Sequence, residues 1–188
     1  MPELPPMIGI VGRKNSGKTT LLVAVAAELK RRGMRVASVK HGHHEFEIDH
    51  PGRDSWRHVH EGEVEAVLFL SSGKLAMVMR MPGEEPGLEE VVGRHFAHRG
   101  FDLVLVEGFK HADLPRIEIH RRTARDRPLC EAAGAQAVGT FIALVTDDPD
   151  VAPPCPVIPL EGPEAGAAHV MAVVDLIVAR VAGTSADG

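Results

Sequence analysis

The stretch Gly12-Arg13-Lys14-Asn15-Ser16-Gly17-Lys18-Thr19 constrains this chain more than any other, because of what flanks it. Met7 to Val11 is an apolar run that stops at Gly12 and reads as a buried parallel strand. From Lys18 to Arg32, apolar residues recur at Leu21, Leu22, Val25, Ala26 and Leu29, the period of a helix with one buried face, and Gly33 ends it as a C-cap. Strand, glycine-rich turn and helix match GxxxxGK[ST] in the context that gives the pattern its meaning. Gly12 and Gly17 let the backbone curl so that several N–H groups point at one centre. The helix start near Lys18 adds its dipole and free N–H groups to the same anion site. The pattern predicts phosphates of a purine nucleoside triphosphate held over Gly12, Lys14, Asn15, Ser16 and Gly17. Lys18 reaches the β- and γ-phosphates, Thr19 ligates magnesium, and Thr20 contacts the α-phosphate.

Such a loop needs a carboxylate at the end of a neighbouring strand to hold magnesium, usually through water. The strand read over Asp102 to Val106 ends at Glu107-Gly108, so Glu107 emerges at the carboxyl edge, where open α/β sheets bind ligands. Lys18 and Glu107 are therefore the candidate catalytic residues, and Glu107 joins Thr19 as a candidate metal ligand. The plain alternative for Glu107 is an exposed loop acid. Lys40 to Asp49 follows the second strand at the same edge. A loop there can cover a γ-phosphate and bring an acid to the metal, and Asp49 is the candidate. The histidines of this segment suit zinc or nickel chemically, or make a polar loop that happens to be histidine-rich. Arg53, Asp54, Ser55 and Arg57 read either as contacts to a phosphate-bearing partner or as a solvated helix start.

The remaining chain alternates short β-rich runs with helical stretches, which predicts an α/β fold: a mostly parallel sheet flanked by helices. Strands are expected over Arg35 to Lys40, Arg116 to His120, Thr140 to Val145 and Val157 to Pro159. Helices are expected near Ser55 to Glu61, over Leu88 to Arg99 (stopped by Gly100), and over Ala165 to Val181. Glu65 to Leu70 and Leu75 to Met81 flank Ser71-Ser72-Gly73-Lys74 as a hairpin, which places an antiparallel edge on the sheet.

The length of 188 residues suits one domain, read as 1–183 with a frayed tail over 184–188. A net charge of −5 gives a nucleic-acid partner no broad electrostatic support, so any anion is held by a local site. Cys130 and Cys155 lack the spacing of a zinc module or disulfide framework. No apolar run approaches the roughly 20 residues of a membrane span, and the N-terminus lacks the layout of a secretory signal. A cytoplasmic protein is the expectation.

Four segments together are similar to the molybdopterin-guanine dinucleotide biosynthesis protein B family: GRKNSGKTTL at Gly12 to Leu21, KHGHHEFEIDHPGRDSWR at Lys40 to Arg57, DLVLVEGFKH at Asp102 to His111, and LPRIEIHR at Leu114 to Arg121. The resemblance implies a P-loop NTPase fold of the class that holds nickel-insertase and signal-recognition GTPases. It implies GTP binding with slow hydrolysis and a homodimer. It also implies work alongside the guanylyltransferase that attaches GMP to molybdopterin, so that enzyme and the molybdenum cofactor are the partners expected. Position by position, Gly12 to Thr20 would hold phosphates, Asp49 and Glu107 would serve magnesium, and Lys110 with Gly52 to Ser55 would line the functional face. Related P-loop proteins often carry a lysine five residues before Lys18 that reaches across a dimer; here that position is Arg13, with Lys14 beside it. The guanine-reading NKxD element of many GTPases is absent after Ala143-Leu144-Val145-Thr146. Asp147 either accepts from guanine N1 and N2 or is a turn acid before Pro149.

Three functions compete for this loop: a GTP-binding accessory protein, a small-molecule kinase, and a metallochaperone GTPase. The kinase would need an acceptor pocket with a base and a basic lid; Arg121, Arg122, Arg125 and Arg127 read either as that lid or, more commonly, as a solvated basic turn. The metallochaperone would use His41, His43, His44 and His50.

Overall fold

A computed structural model describes residues 3–42, 49–81, 83–109, 112–137, 139–160 and 168–184. The chain forms two compact units, one of Met1–His41 with Leu88–Gly188, the other Gly42–Gly87.

The first unit is built on a six-stranded sheet. Its strands are β1 (Met7–Val11), β2 (Val36–Lys40), β5 (Leu103–Glu107), β6 (Arg116–His120), β7 (Phe141–Thr146) and β8 (Val157–Pro159), in the order β2-β5-β1-β6-β7-β8. Every pairing is parallel. Alternation along each strand divides the core between the two faces. Ile8, Ile10, Leu103, Leu105, Ile117 and Ile119 pack with Leu21, Val25 and Leu29 of α1 (Lys18–Arg31) and Val170, Val173, Val174 and Ile177 of α5 (Ala168–Thr184). Val104 and Val106 point the other way, onto Leu88 and Val92 of α3 (Leu88–Phe96). Val11 and Leu144 meet Cys130 of α4 (Leu129–Ala133) on that second face. Each fully buried aliphatic side chain contributes roughly 1.5–3 kcal/mol. Helices on both faces explain why β1 and β5 read as unbroken apolar runs.

The second unit contains α2 (Asp54–His60) and a hairpin of β3 (Ala66–Leu70) with β4 (Leu75–Met79). The antiparallel hairpin expected from the sequence is present, but it forms a two-stranded sheet of its own rather than an edge of the six-stranded sheet.

Two local departures from expectation have clear causes. The helix expected to reach Arg99 stops at Phe96, where the Ala97 N–H reaches back to the Val92 carbonyl (3.1 Å) and His98 adopts φ 60°. α4 and the 3-10 turn Gly134–Ala137 were not expected at all. The helix has no cap of its own, since its N-cap is Pro128 without a side-chain bond. Its cap comes from the sheet: Glu118 of β6, fully buried, accepts the Leu129 N–H (2.7 Å) and the Cys130 N–H (2.9 Å). Burial, with Glu118 beside it, pushes the Cys130 thiol well above its ordinary range, so it packs as a small apolar group.

Replacing Glu118 by alanine strands those two donors against an apolar wall. Hydrogen bonds to a charged group are worth about 1.5–3 kcal/mol each, so urea denaturation should show Glu118→Ala less stable by at least about 1.5 kcal/mol. A loss below about 0.5 kcal/mol would show that the cap carries no weight.

Candidate functional site

Parallel pairing sets all strand exits on one edge, and the order of strands decides which exits are neighbours. β1 lies between β5 and β6. The loop leaving β1 is therefore flanked by Glu107-Gly108 on one side and His120-Arg121 on the other.

The loop begins at Gly12, with φ 149°. A β-carbon there would overlap the Ile119 carbonyl oxygen of the adjoining strand and lie 2.7 Å from Ser16 Oγ. Asn15 takes φ 63° at the loop crest, and Gly17 is the N-cap of α1 in the left-handed region. Lys14 and Asn15 are exposed, whereas Ser16 is buried. The Lys18 ammonium folds back across the turn and donates to the Arg13 carbonyl (2.7 Å), which also accepts the Ser16 N–H (3.3 Å). Ser16 Oγ and Arg13 Nε are buried without a hydrogen-bond partner. The protein alone thus leaves polar atoms of the loop unsatisfied, an uncommon state for buried groups.

On the β5 side, Thr19 and Glu107 meet. The Thr19 hydroxyl donates to both carboxylate oxygens of Glu107, at 3.0 and 3.1 Å, although 88 residues separate them in the chain. Glu107 is buried, and the Lys40 ammonium at the end of β2 stands 3.6 Å from its Oε1. The register that pairs Lys40 with Glu107 brings the two residues side by side. Gly108 follows with φ 106°, and a β-carbon there would lie 2.7 Å from the His41 carbonyl oxygen. Only glycine lets the exits of β2 and β5 run this close. An alcohol and a carboxylate are hard oxygen donors and fit magnesium rather than a softer ion.

On the β6 side, Arg121 and Asp147 pair at 3.3 Å, and the Arg122 N–H donates to the other oxygen of Asp147 at 2.7 Å. Partial burial raises the Asp147 pKa, but these two bonds outweigh it and hold the carboxyl below its ordinary range. Thr20 lines a small cleft with Gly17, Ile119 and Arg121. His120 and Asp148 meet nearby at 3.6 Å, with His120 Nδ1 buried and unbonded.

Gly12, Lys14, Asn15, Ser16, Gly17, Lys18, Thr19, Thr20, Glu107 and Asp147 are thus gathered at one sheet edge. Asp49 belongs to the second unit. There the Ser55 hydroxyl, helped by the His50 N–H at 2.8 Å, holds its carboxyl below the usual range. It lines an open cavity of about 330 Å³ with Phe69 and Lys74. Lys110, His43 and His44 lie outside the described residues. Among the described residues, no group of three or more His, Cys, Asp or Glu side chains is placed to hold a metal ion, and no helix is long and apolar enough to cross a membrane. The approach of Lys40 to Glu107 and the pairing of Arg121 with Asp147 are not legible in the sequence, although Asp147 and Arg121 are candidates there. The residues at the strand exits were visible, but not which exits adjoin β1.

Residues 7–147 match the family model described as MobB, molybdopterin guanine dinucleotide synthesis protein B. A molybdopterin-guanine dinucleotide biosynthesis adapter protein of Haemophilus influenzae is 38% identical over 117 residues, which cover 62% of this chain and 64% of that protein. The adapter protein of Escherichia coli is 32% identical over 123 residues, covering 65% and 70%. The chain thus spans just under two thirds of the Haemophilus relative. A crystal structure of molybdopterin-guanine biosynthesis protein B superimposes with a TM-score of 0.66 at 26% identity, covering 93% of this chain and 98% of that one. The MobB homolog of Bacillus stearothermophilus shares the fold with a TM-score of 0.64 at 24% identity, covering 94% and 98%. The P-loop NTPase architecture read from the sequence is the one these structures share, and with well over half of its length under the family model, the chain belongs to the molybdopterin guanine dinucleotide synthesis protein B family.

Proposed function

We propose that the protein binds GTP with magnesium in the Gly12–Thr20 loop and acts as an accessory to the guanylyltransferase step of molybdenum cofactor synthesis. The observation that carries this reading is the bracket between Thr19 and Glu107. Two oxygen donors from distant parts of the chain stand together beside the glycine-rich turn. Magnesium held by them would supply positive charge to offset that of the outer phosphates. The Lys18 ammonium, already over the turn, exchanges the Arg13 carbonyl for phosphate oxygens. The unpartnered Ser16 hydroxyl supports a ligand at this loop. The accessory role draws on the relatives named as adapter proteins of molybdopterin-guanine dinucleotide biosynthesis. The molybdopterin cofactor and the guanylyltransferase are the partners this reading assigns, and the single domain read over 1–183 is retained as part of it. A cytoplasmic location fits that chemistry.

Slow hydrolysis fits the edge on which each residue sits. A water-positioning glutamine is the usual device of fast GTPases. The sole glutamine of the chain, Gln136, lies in the 3-10 turn before β7. That turn feeds the amino end of a parallel strand, the sheet edge opposite the loop.

A homodimer is supported by the hairpin. The register pairs Leu70 with Leu75, Leu68 with Met77 and Ala66 with Met79 on one face. Leu70, Leu75 and Leu68 are 76%, 64% and 55% exposed. Such a ladder of apolar side chains marks a contact surface.

Isothermal titration in magnesium should show GTP binding tighter than ATP, and Lys18→Ala should weaken GTP by at least about a hundredfold, as expected when several charge-assisted bonds are lost. Equal or tighter ATP binding removes the guanine assignment, and retained affinity in Lys18→Ala removes the phosphate site. Glu107→Gln should cost more affinity with magnesium than in EDTA; equal losses in both would place the metal elsewhere. Sedimentation should find Leu70→Lys with Leu75→Lys monomeric where the wild-type chain is dimeric, and an unchanged dimer would move the interface off the hairpin.

A further inference from the structure

We infer that Arg121 is a phosphate ligand supplied in cis, directed at the α-phosphate, with Asp147 as its partner when no nucleotide is bound. The inference rests on the P-loop reading and adds to it a cation that the GxxxxGK[ST] pattern does not contain. Arg121 is the first residue beyond β6, the strand adjoining β1 on the side away from Glu107. Its Nη2 lies 3.8 Å from where a β-carbon on Gly17 would sit, so the guanidinium hangs directly over the loop glycine. Gly17, Thr20 and Arg121 line the same cleft.

Which phosphate it addresses follows from the order of strands. Thr19 and Glu107, on the β5 side of the loop, are the residues that would hold magnesium, and the outer phosphates of a triphosphate would lie beside them. A triphosphate with its outer end there runs back over Gly17 toward Thr20 and the β6 exit. The phosphate nearest Arg121 is then the α-phosphate. A planar guanidinium suits that contact, since it can offer two parallel N–H donors to phosphate oxygens.

The ion pair with Asp147 does not hold the side chain firmly. The two side chains are 39% and 36% exposed at a separation of 3.3 Å, and pairs this open to solvent are weak. Asp147 keeps the Arg122 N–H on its other oxygen when Arg121 leaves. The carboxylate is then neither stranded nor neutralised, and its freed oxygen faces the same edge.

Titration of GDP and of GTP in magnesium into wild-type protein, Arg121→Ala and Arg121→Lys tests this, together with ³¹P NMR of bound GDP. Arg121→Ala should weaken GDP and GTP by the same factor, at least about tenfold for a lost charge-assisted contact, with an unchanged melting temperature. Arg121→Lys should recover part of the loss. The α-phosphorus resonance should move in Arg121→Lys and stay in place in Asp147→Asn. Unchanged affinity in Arg121→Ala, a loss confined to GTP, or an equal α-phosphorus shift in Asp147→Asn would each overturn the proposal. Failure of the P-loop reading looks different: the wild-type protein itself would then not bind GDP or GTP.

Discussion

The Ile119 carbonyl oxygen fills the space that a β-carbon on Gly12 would need. That contact fixes where the loop leaves the sheet. The chain must turn over the exit of β6 rather than continue past it, and the turn then delivers Lys18 to the start of α1. Everything downstream inherits that placement. α1 buries Leu21, Val25 and Leu29 against the sheet, so the first residues of the helix cannot shift without disturbing the largest apolar cluster of the unit. Thr19 reaches Glu107 because the helix start and the β5 exit are both held by this packing. The glycine at 108 does the same on the far side, where only a missing β-carbon lets β2 and β5 release the chain in contact.

Electrostatics at the edge are local. The chain carries a net charge of −5, yet Lys18, Lys40 and Arg121 stand around one turn of backbone. Each has an oxygen partner within the protein: the Arg13 carbonyl, Glu107 and Asp147 respectively. Cations held this way do not repel one another strongly, and none is buried uncompensated. A bound polyphosphate would exchange weaker oxygen partners for stronger ones, which is a cheap route to affinity in an otherwise acidic protein.

The fold was readable because its strands are short, apolar and separated by helices with a clear period. Met7 to Val11 and Leu103 to Val106 stand out since both of their faces are buried. The site was readable where one motif contains both the turn and its chemistry, as in Gly12 to Thr20. It was not readable where chemistry depends on neighbours far apart in sequence. Glu107 was picked out by its position at a strand end, but its bond to Thr19 and its approach to Lys40 follow from β5 lying between β1 and β2. α4 was missed for the same reason. Its cap is Glu118, eleven residues before Leu129 and in another element, whereas the helix signals carried by sequence are local caps.

Lys18 on the Arg13 carbonyl spans the loop, and Thr19 on Glu107 ties the start of α1 to β5. On the proposed reading, nucleotide and magnesium replace both at once, and Arg121 changes partner in the same event. Lys18, Thr19 and Arg121 would then all respond to one ligand. On the proposed reading, an accessory role and slow hydrolysis go together: the cations of the site have partners within the protein that phosphate would replace, and the chain's only glutamine lies before β7, at the opposite edge of the sheet.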